Sequence, residues 1–172
     1  GNEKSLALFG EEKDVAEFLR KLEQVRDWLY DEGEDQTKGV YTQKLAELKA
    51  IGDSYVRRKT EFDMRPAAIA DLEARVRFWS CAAAPDNKDD KYSHIEPAER
   101  EKVRARCVET GAWLTEQRNK QDTLPLYTEP TLTVATLTSK RSQLDTFASS
   151  IMNKPKPPPP KPAETKPADA AK

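Results

Sequence analysis

From Glu11 onward, apolar residues recur at three- and four-residue intervals: Val15, Phe18, Leu22, Val25 and Leu29, with Leu19 and Trp28 widening the stripe. That is the period of a helix burying one face. Glu11, Glu12 and Asp14 fall in its first turn, where carboxylates complement the positive end of the helix dipole. The pattern predicts a helix over residues 11–31, ended at Gly33, a residue suited to the left-handed closing conformation. A second stripe, Tyr41, Leu45, Leu48 and Ile51, predicts a helix from about Gln36 to Ile51, with Gly52 as its stop. The short connection makes these two an antiparallel hairpin.

A third and longer helix is expected from Asp53 to Ala83. Tyr55, Phe62, Ile69 and Val76 repeat every seventh residue, and Leu72 and Trp79 share the other seam position. Pro66 lies inside this run, but the heptad frame passes through it unshifted, so a kinked, continuous helix is expected. Arg58 and Arg65 sit opposite the apolar positions, their stems packed and their heads reaching solvent or Glu61. Residues 85–92 read as a solvated loop. A fourth helix starts near Glu96 with Pro97 in its first position and carries Val103, Cys107, Thr110, Trp113 and Leu114 as far as about Gln121. A last helix, from about Thr131 to Met152, holds Leu137, Leu144, Phe147 and Ile151. Its threonines and serines are poor helix formers, so packing must stabilise it. The fold class is therefore all-α: an antiparallel bundle of four to five helices over residues 1–152. Residues 153–172, rich in proline and lysine, form a disordered, largely polyproline II tail.

Composition narrows the function more than the fold. Of the 172 residues, 34% are charged, yet the net charge is −1. Neither a basic footprint for nucleic acid nor an acidic surface for basic clients stands out. Arg57, Arg58, Lys59, Arg75 and Arg77 are accompanied throughout by acids, which is an ordinary charged helix face. No run is apolar enough to be a signal segment or to cross a membrane. Cys81 and Cys107 read as half-buried thiols in a reducing compartment. The chain starts at Gly1 with no methionine, which suggests a piece of a longer protein.

Catalytic chemistry finds little support. His94, the one histidine, lies on a polar loop, and nothing in the spacing pairs it with Cys81 or Cys107. A glycine-rich phosphate loop is absent. The acidic run Asp31-Glu32-Gly33-Glu34-Asp35 fails as a calcium loop, because Gln36 and Thr42 stand where glycine and glutamate are needed. Asp86, Asp89 and Asp90 alternate with Lys88 and Lys91, and zinc would need more Cys and His than the chain has. Neither enzyme activity nor a metal is expected. A protein-contact surface remains, and Phe9, Phe78 and Trp113, at or beyond the main stripes, are the candidates for an exposed apolar patch.

The stretch Val25-Arg26-Asp27-Trp28-Leu29-Tyr30-Asp31-Glu32-Gly33-Glu34-Asp35 resembles a signature of the 110-kDa heat-shock protein family, the large relatives of the 70-kDa heat-shock chaperones. The likeness continues through Val40-Tyr41, Lys44-Leu45, Glu47-Leu48-Lys49, Gly52, Arg58, Glu61, Arg65 and Pro66. It returns at Tyr92-Ser93-His94-Ile95 and Ile151-Met152-Asn153-Lys154-Pro155-Lys156-Pro157. It spans roughly residues 15 to 160 and is weakest from Leu114 to Ser150. The resemblance implies a cytoplasmic C-terminal helical module. Its parent would exchange nucleotide on a 70-kDa heat-shock chaperone and hold unfolded protein clients. ATP would belong to the parent's N-terminal domain, and no cofactor is expected within these residues. Within the motif, Trp28 and Leu29 are expected to anchor the hairpin core while Gly33 turns the chain. Glu32, Glu34 and Asp35 form an acidic tip and are the candidate partner contacts. A purely structural helical scaffold is the competing reading.

Overall fold

The computed structural model describes residues 6–31 and 37–158. Among them are four α-helices and no strand: α1 (Glu12–Asp31), α2 (Lys38–Ala82), α3 (Pro97–Asp122) and α4 (Val134–Met152). A 3-10 turn, Asp90–Tyr92, lies between α2 and α3. Gly33, Gln36 and the tail beyond Pro158 lie outside the described residues.

The core belongs to three of the helices. Trp79 and Ala82 of α2, Val103 and Cys107 of α3, and Leu144, Ala148, Ile151 and Met152 of α4 pack as one cluster. Leu72, Leu114, Leu132 and Leu137 form a second, flanked by Ile69, Val76 and Trp113. Each fully buried leucine contributes roughly 1.5–3 kcal/mol by leaving water. Trp79 also donates its indole N–H to Asp145 across the α2–α4 interface, at 2.7 Å. Five buried apolar residues hold α4 in place, which is how a helix rich in serine and threonine persists.

Gly52 does not stop a helix. The two segments expected on either side of it form one helix of 45 residues, roughly 67 Å long at 1.5 Å per residue. A mid-helix glycine costs only about 1 kcal/mol relative to alanine, and among the described residues no glycine has positive φ. Gly52 instead faces Phe18, whose ring edge would stand 3.5 Å from an added Cβ. Pro66 sits inside the same helix without ending it, as its heptad frame implied.

The other boundaries follow local chemistry. Pro97 opens α3, as expected. The fifth expected helix begins at Val134 and not at Thr131, because Thr133 is its N-cap. The Thr133 hydroxyl accepts from the Thr136 N–H, and the Thr136 hydroxyl accepts from the Thr133 N–H. The segment before α3 is not simply solvated. Tyr92 and Ile95 are buried in the first cluster. The buried Arg100 guanidinium donates to the carbonyls of Ile95 (3.2 Å), Ala84 (3.3 Å) and Tyr92.

Candidate docking surface

α1 runs antiparallel to the N-terminal half of α2. Phe18 meets Tyr55 edge-to-face at 5.8 Å, and Trp28 meets Tyr41 at 5.3 Å. The Lys44 ammonium lies 4.7 Å from the Trp28 ring centre, an additional cation–π attraction. Val15, Phe18, Val25 and Trp28 are half-buried along this seam, and α1 contains no buried side chain. Two helices share a single seam, so the rest of a wide apolar stripe stays in water. Leu19, Leu22 and Leu29 are exposed on α1, and Leu45 is 59% exposed on α2. Tyr30 is 84% exposed. Trp28 thus anchors the hairpin only in part. Leu29 was expected in its core and is 47% exposed.

Where the hairpin meets the bundle, polar side chains of α2 grip two other segments. Arg58 donates to the Phe9 carbonyl at 2.9 Å. Its guanidinium and that of Arg57 both reach the Glu129 carboxylate, Arg57 at 2.7 Å. Arg65 donates to the Leu132 carbonyl at 2.7 Å, and Glu61 accepts from the Val134 N–H at 2.9 Å. The heads of Arg58 and Arg65 therefore bind the N-terminal segment and the α3–α4 connection, not solvent or Glu61. Burial pushes the Arg65 guanidinium below its usual pKa, while Glu61 and Asp122 pull it back up. Phe9 is buried here at 4% exposure, edge-on to Phe62, and so is no part of an exposed patch. An alanine Cβ at Gly10 would come within 2.6 Å of Val15 and 2.7 Å of Tyr55, so this N-terminal segment is closely packed. Burial raises the Tyr55 phenol's pKa.

At the opposite end of the bundle, the root of the tail is tied to the loop before α3. His94 donates from Nε2 to the Lys154 carbonyl at 2.5 Å. Lys154 reaches Glu99 at 2.9 Å and Lys156 reaches Asp90 at 2.5 Å. Hydrogen bonds from Lys102 and Lys154 hold the Glu99 carboxyl down to about 2. Lys156 similarly lowers that of Asp90.

The remaining expectations separate. Phe78 is exposed, as its position beyond the stripe suggested, but the Arg75 guanidinium covers it at 5.6 Å. Trp113 is half-buried against the second cluster, with Lys140 over its ring at 5.1 Å. The three aromatics do not form one patch. Cys81 is exposed and Cys107 buried, so the two thiols are not alike. Burial raises the Cys107 thiol's pKa. Glu32, Glu34 and Asp35 lie outside the described residues. Among the described residues, no three His, Cys, Asp or Glu side chains gather as metal ligands would, and no helix is long and apolar enough to cross a membrane.

Fold and surface together define an all-helical module: a three-helix bundle from which a helical hairpin projects. The family model described as HYOU1-like, C-terminal domain matches residues 81–155, from the end of α2 to the root of the tail. Heat shock 70 kDa protein 15 of Arabidopsis thaliana is 47% identical over 81% of the chain. Heat shock 70 kDa protein 4L of Homo sapiens is 36% identical over 84%. A 97 kDa heat shock protein of Mesocentrotus franciscanus is 36% identical over 94%. The chain belongs to the 110-kDa heat-shock type of the 70-kDa chaperone family and corresponds to its C-terminal domain. It spans about a sixth of the length of these curated relatives, which is 17% of the first. No solved structure matches it.

Proposed function

We propose that the α1–α2 hairpin is the docking arm of this chaperone-family domain, and that its partner is the ATP-binding domain of a 70-kDa heat-shock chaperone. In the whole protein, this contact would promote nucleotide exchange on the partner, in the cytoplasm. The domain itself would bind no nucleotide and perform no catalysis. The carrying observation is that α1 buries no side chain fully, while Leu19, Leu22 and Leu29 on α1 and Leu45 on α2 are exposed. A helix in that state gains stability from a further surface laid against it. The names of the relatives supply the chaperone setting.

The test is a titration of the chain against the ATP-binding domain of a 70-kDa chaperone, with the double change Leu22→Glu and Leu29→Glu beside the unaltered chain. Affinity should fall at least tenfold while the bundle's melting temperature stays put. Equal affinity would remove the hairpin from the contact. Charge reversal at Glu34 and Asp35, run in parallel, tests whether the acidic tip takes part. Holding of unfolded clients is the second activity proposed for the same apolar flank. It would be read as loss of aggregation suppression in the Leu22→Glu, Leu29→Glu chain.

A further inference from the structure

The direction in which the hairpin leaves the bundle is set by few buried apolar contacts of α2 itself: beyond the contact of Phe62 with Phe9, polar side chains make the junction. C-terminal to Pro66, α2 is embedded through Ala68, Ile69, Leu72, Val76 and Trp79. N-terminal to it, Tyr55 is the one buried residue of α2. Pro66 lacks an N–H, so the Phe62 carbonyl has no partner four residues on, and the proline ring crowds that same carbonyl. A long helix is weakest in bending at such a point. The boundary between the two halves of α2 therefore coincides with its least stiff turn.

The same turn is spanned by the polar contacts of the α3–α4 connection. Arg58, Glu61 and Arg65 follow a three-four spacing, which puts them on one face, and all three address residues 129–134. That connection is itself pinned to the bundle. Leu132 is 1% exposed within the second cluster, and the Gln121 side chain accepts from the N–H groups of Thr131 and Leu132 at 2.9 and 3.1 Å. A rigid segment thus reaches across the proline and holds the turns before it. Glu129 is the outermost hold. Its Oε1 stands 2.7 Å from Arg57 Nη2 and 3.2 Å from Arg58 Nε.

We infer that the α3–α4 connection is a clamp that fixes the pose of the hairpin about a pivot at Pro66, with Glu129, Arg57 and Arg58 as its releasable part. The inference concerns the chain alone and stands or falls separately from any partner. It implies that whatever competes for Glu129 loosens the outermost hold on the hairpin, leaving the contacts of Glu61 and Arg65 with Val134 and Leu132 nearer the pivot.

Electron-spin distance measurement on the 172-residue chain tests it, with labels at Gln43→Cys on the hairpin and Thr138→Cys on α4, in a Cys81→Ser background; Cys107 is buried. The unaltered clamp should give one narrow distance distribution. Glu129→Ala should widen it at least twofold. Because Glu129 is a largely exposed side chain, the unfolding midpoint should hardly move. Adding Pro66→Ala to Glu129→Ala should restore a narrow distribution. A width unchanged by both Glu129→Ala and the Arg57→Gln, Arg58→Gln pair would overturn the clamp. A distribution that stays wide after Pro66→Ala would overturn the pivot.

Discussion

From Ala68 to Ala82, α2 packs against both α3 and α4; Leu72, Trp79 and Ala82 fall to 5% exposure or less, and Ile69 and Val76 are partly buried against the same clusters. From Lys38 to Ser54 the same helix meets α1 and buries no residue fully. Sequence quality alone does not explain the difference. Tyr41, Leu45, Leu48 and Ile51 are as apolar and as regularly spaced as Ile69, Leu72, Val76 and Trp79. What differs is the number of neighbours. A helix flanked by two others has its stripe covered on both sides, whereas a helix in a pair leaves one flank wet. Burial here is a property of topology, and the periodic pattern sets only which residues compete for it.

The comparison can be broken most forcefully in the bundle. Leu144→Ala should destabilise the protein by about 2–5 kcal/mol, the range for emptying a closely packed leucine site, read as the unfolding midpoint in denaturant. Arg100→Ala should cost about 2–3 kcal/mol, because the carbonyls of Ile95, Ala84 and Tyr92 would lose a charged donor without gaining water. Trp28→Ala should cost only about 1–2 kcal/mol. Its ring is half-buried and contributes mainly the edge-to-face pair with Tyr41 and the Lys44 contact. A cost of 3–5 kcal/mol, as for a fully buried tryptophan, would mean the hairpin is as well packed as the bundle.

The smallest effect lies at the tail root. Glu99 titrates near 2 in the folded chain against an ordinary 4.5. A depressed carboxyl stabilises the fold above its unfolded pKa, and that contribution is lost as pH falls through the folded one. The ties to Lys102 and Lys154 should therefore persist at pH 5 and loosen between about pH 4.5 and 2. Carboxyl chemical shifts of Glu99 should follow that course, and Glu99→Gln should leave the Lys154 ammonium signal insensitive over the same window.

Much of this architecture was legible along the chain. The α1 stripe, the passage of α2 through Pro66 and the start of α3 at Pro97 all follow from local spacing and backbone chemistry. Gly52 misled because glycine ends a helix only where the chain turns left-handed, and here it serves to admit Phe18. Phe9 misled because its partners, Phe62 and Arg58, are some fifty residues away. The clamp was invisible for the same reason. Arg58 and Arg65 read locally as snorkelling side chains, and no period links them to Glu129 and Leu132. Of the candidate contacts, the apolar flank at Leu22 and Leu29 belongs to the same stripe as the seam residues, and a period cannot tell flank from core because it does not count helices. The acidic residues Glu32, Glu34 and Asp35 were singled out by resemblance and lie outside the described residues.

Hydrogen exchange resolved by segment, with and without the ATP-binding domain of a 70-kDa chaperone, tests the division of labour most directly. In the free chain, amides of residues 18–31 and 40–50 should exchange at least a hundredfold faster than those of residues 137–151. The partner should then slow the first two segments and leave the third unchanged. Equal protection of hairpin and bundle in the free chain, or a partner effect confined to α4, would contradict it.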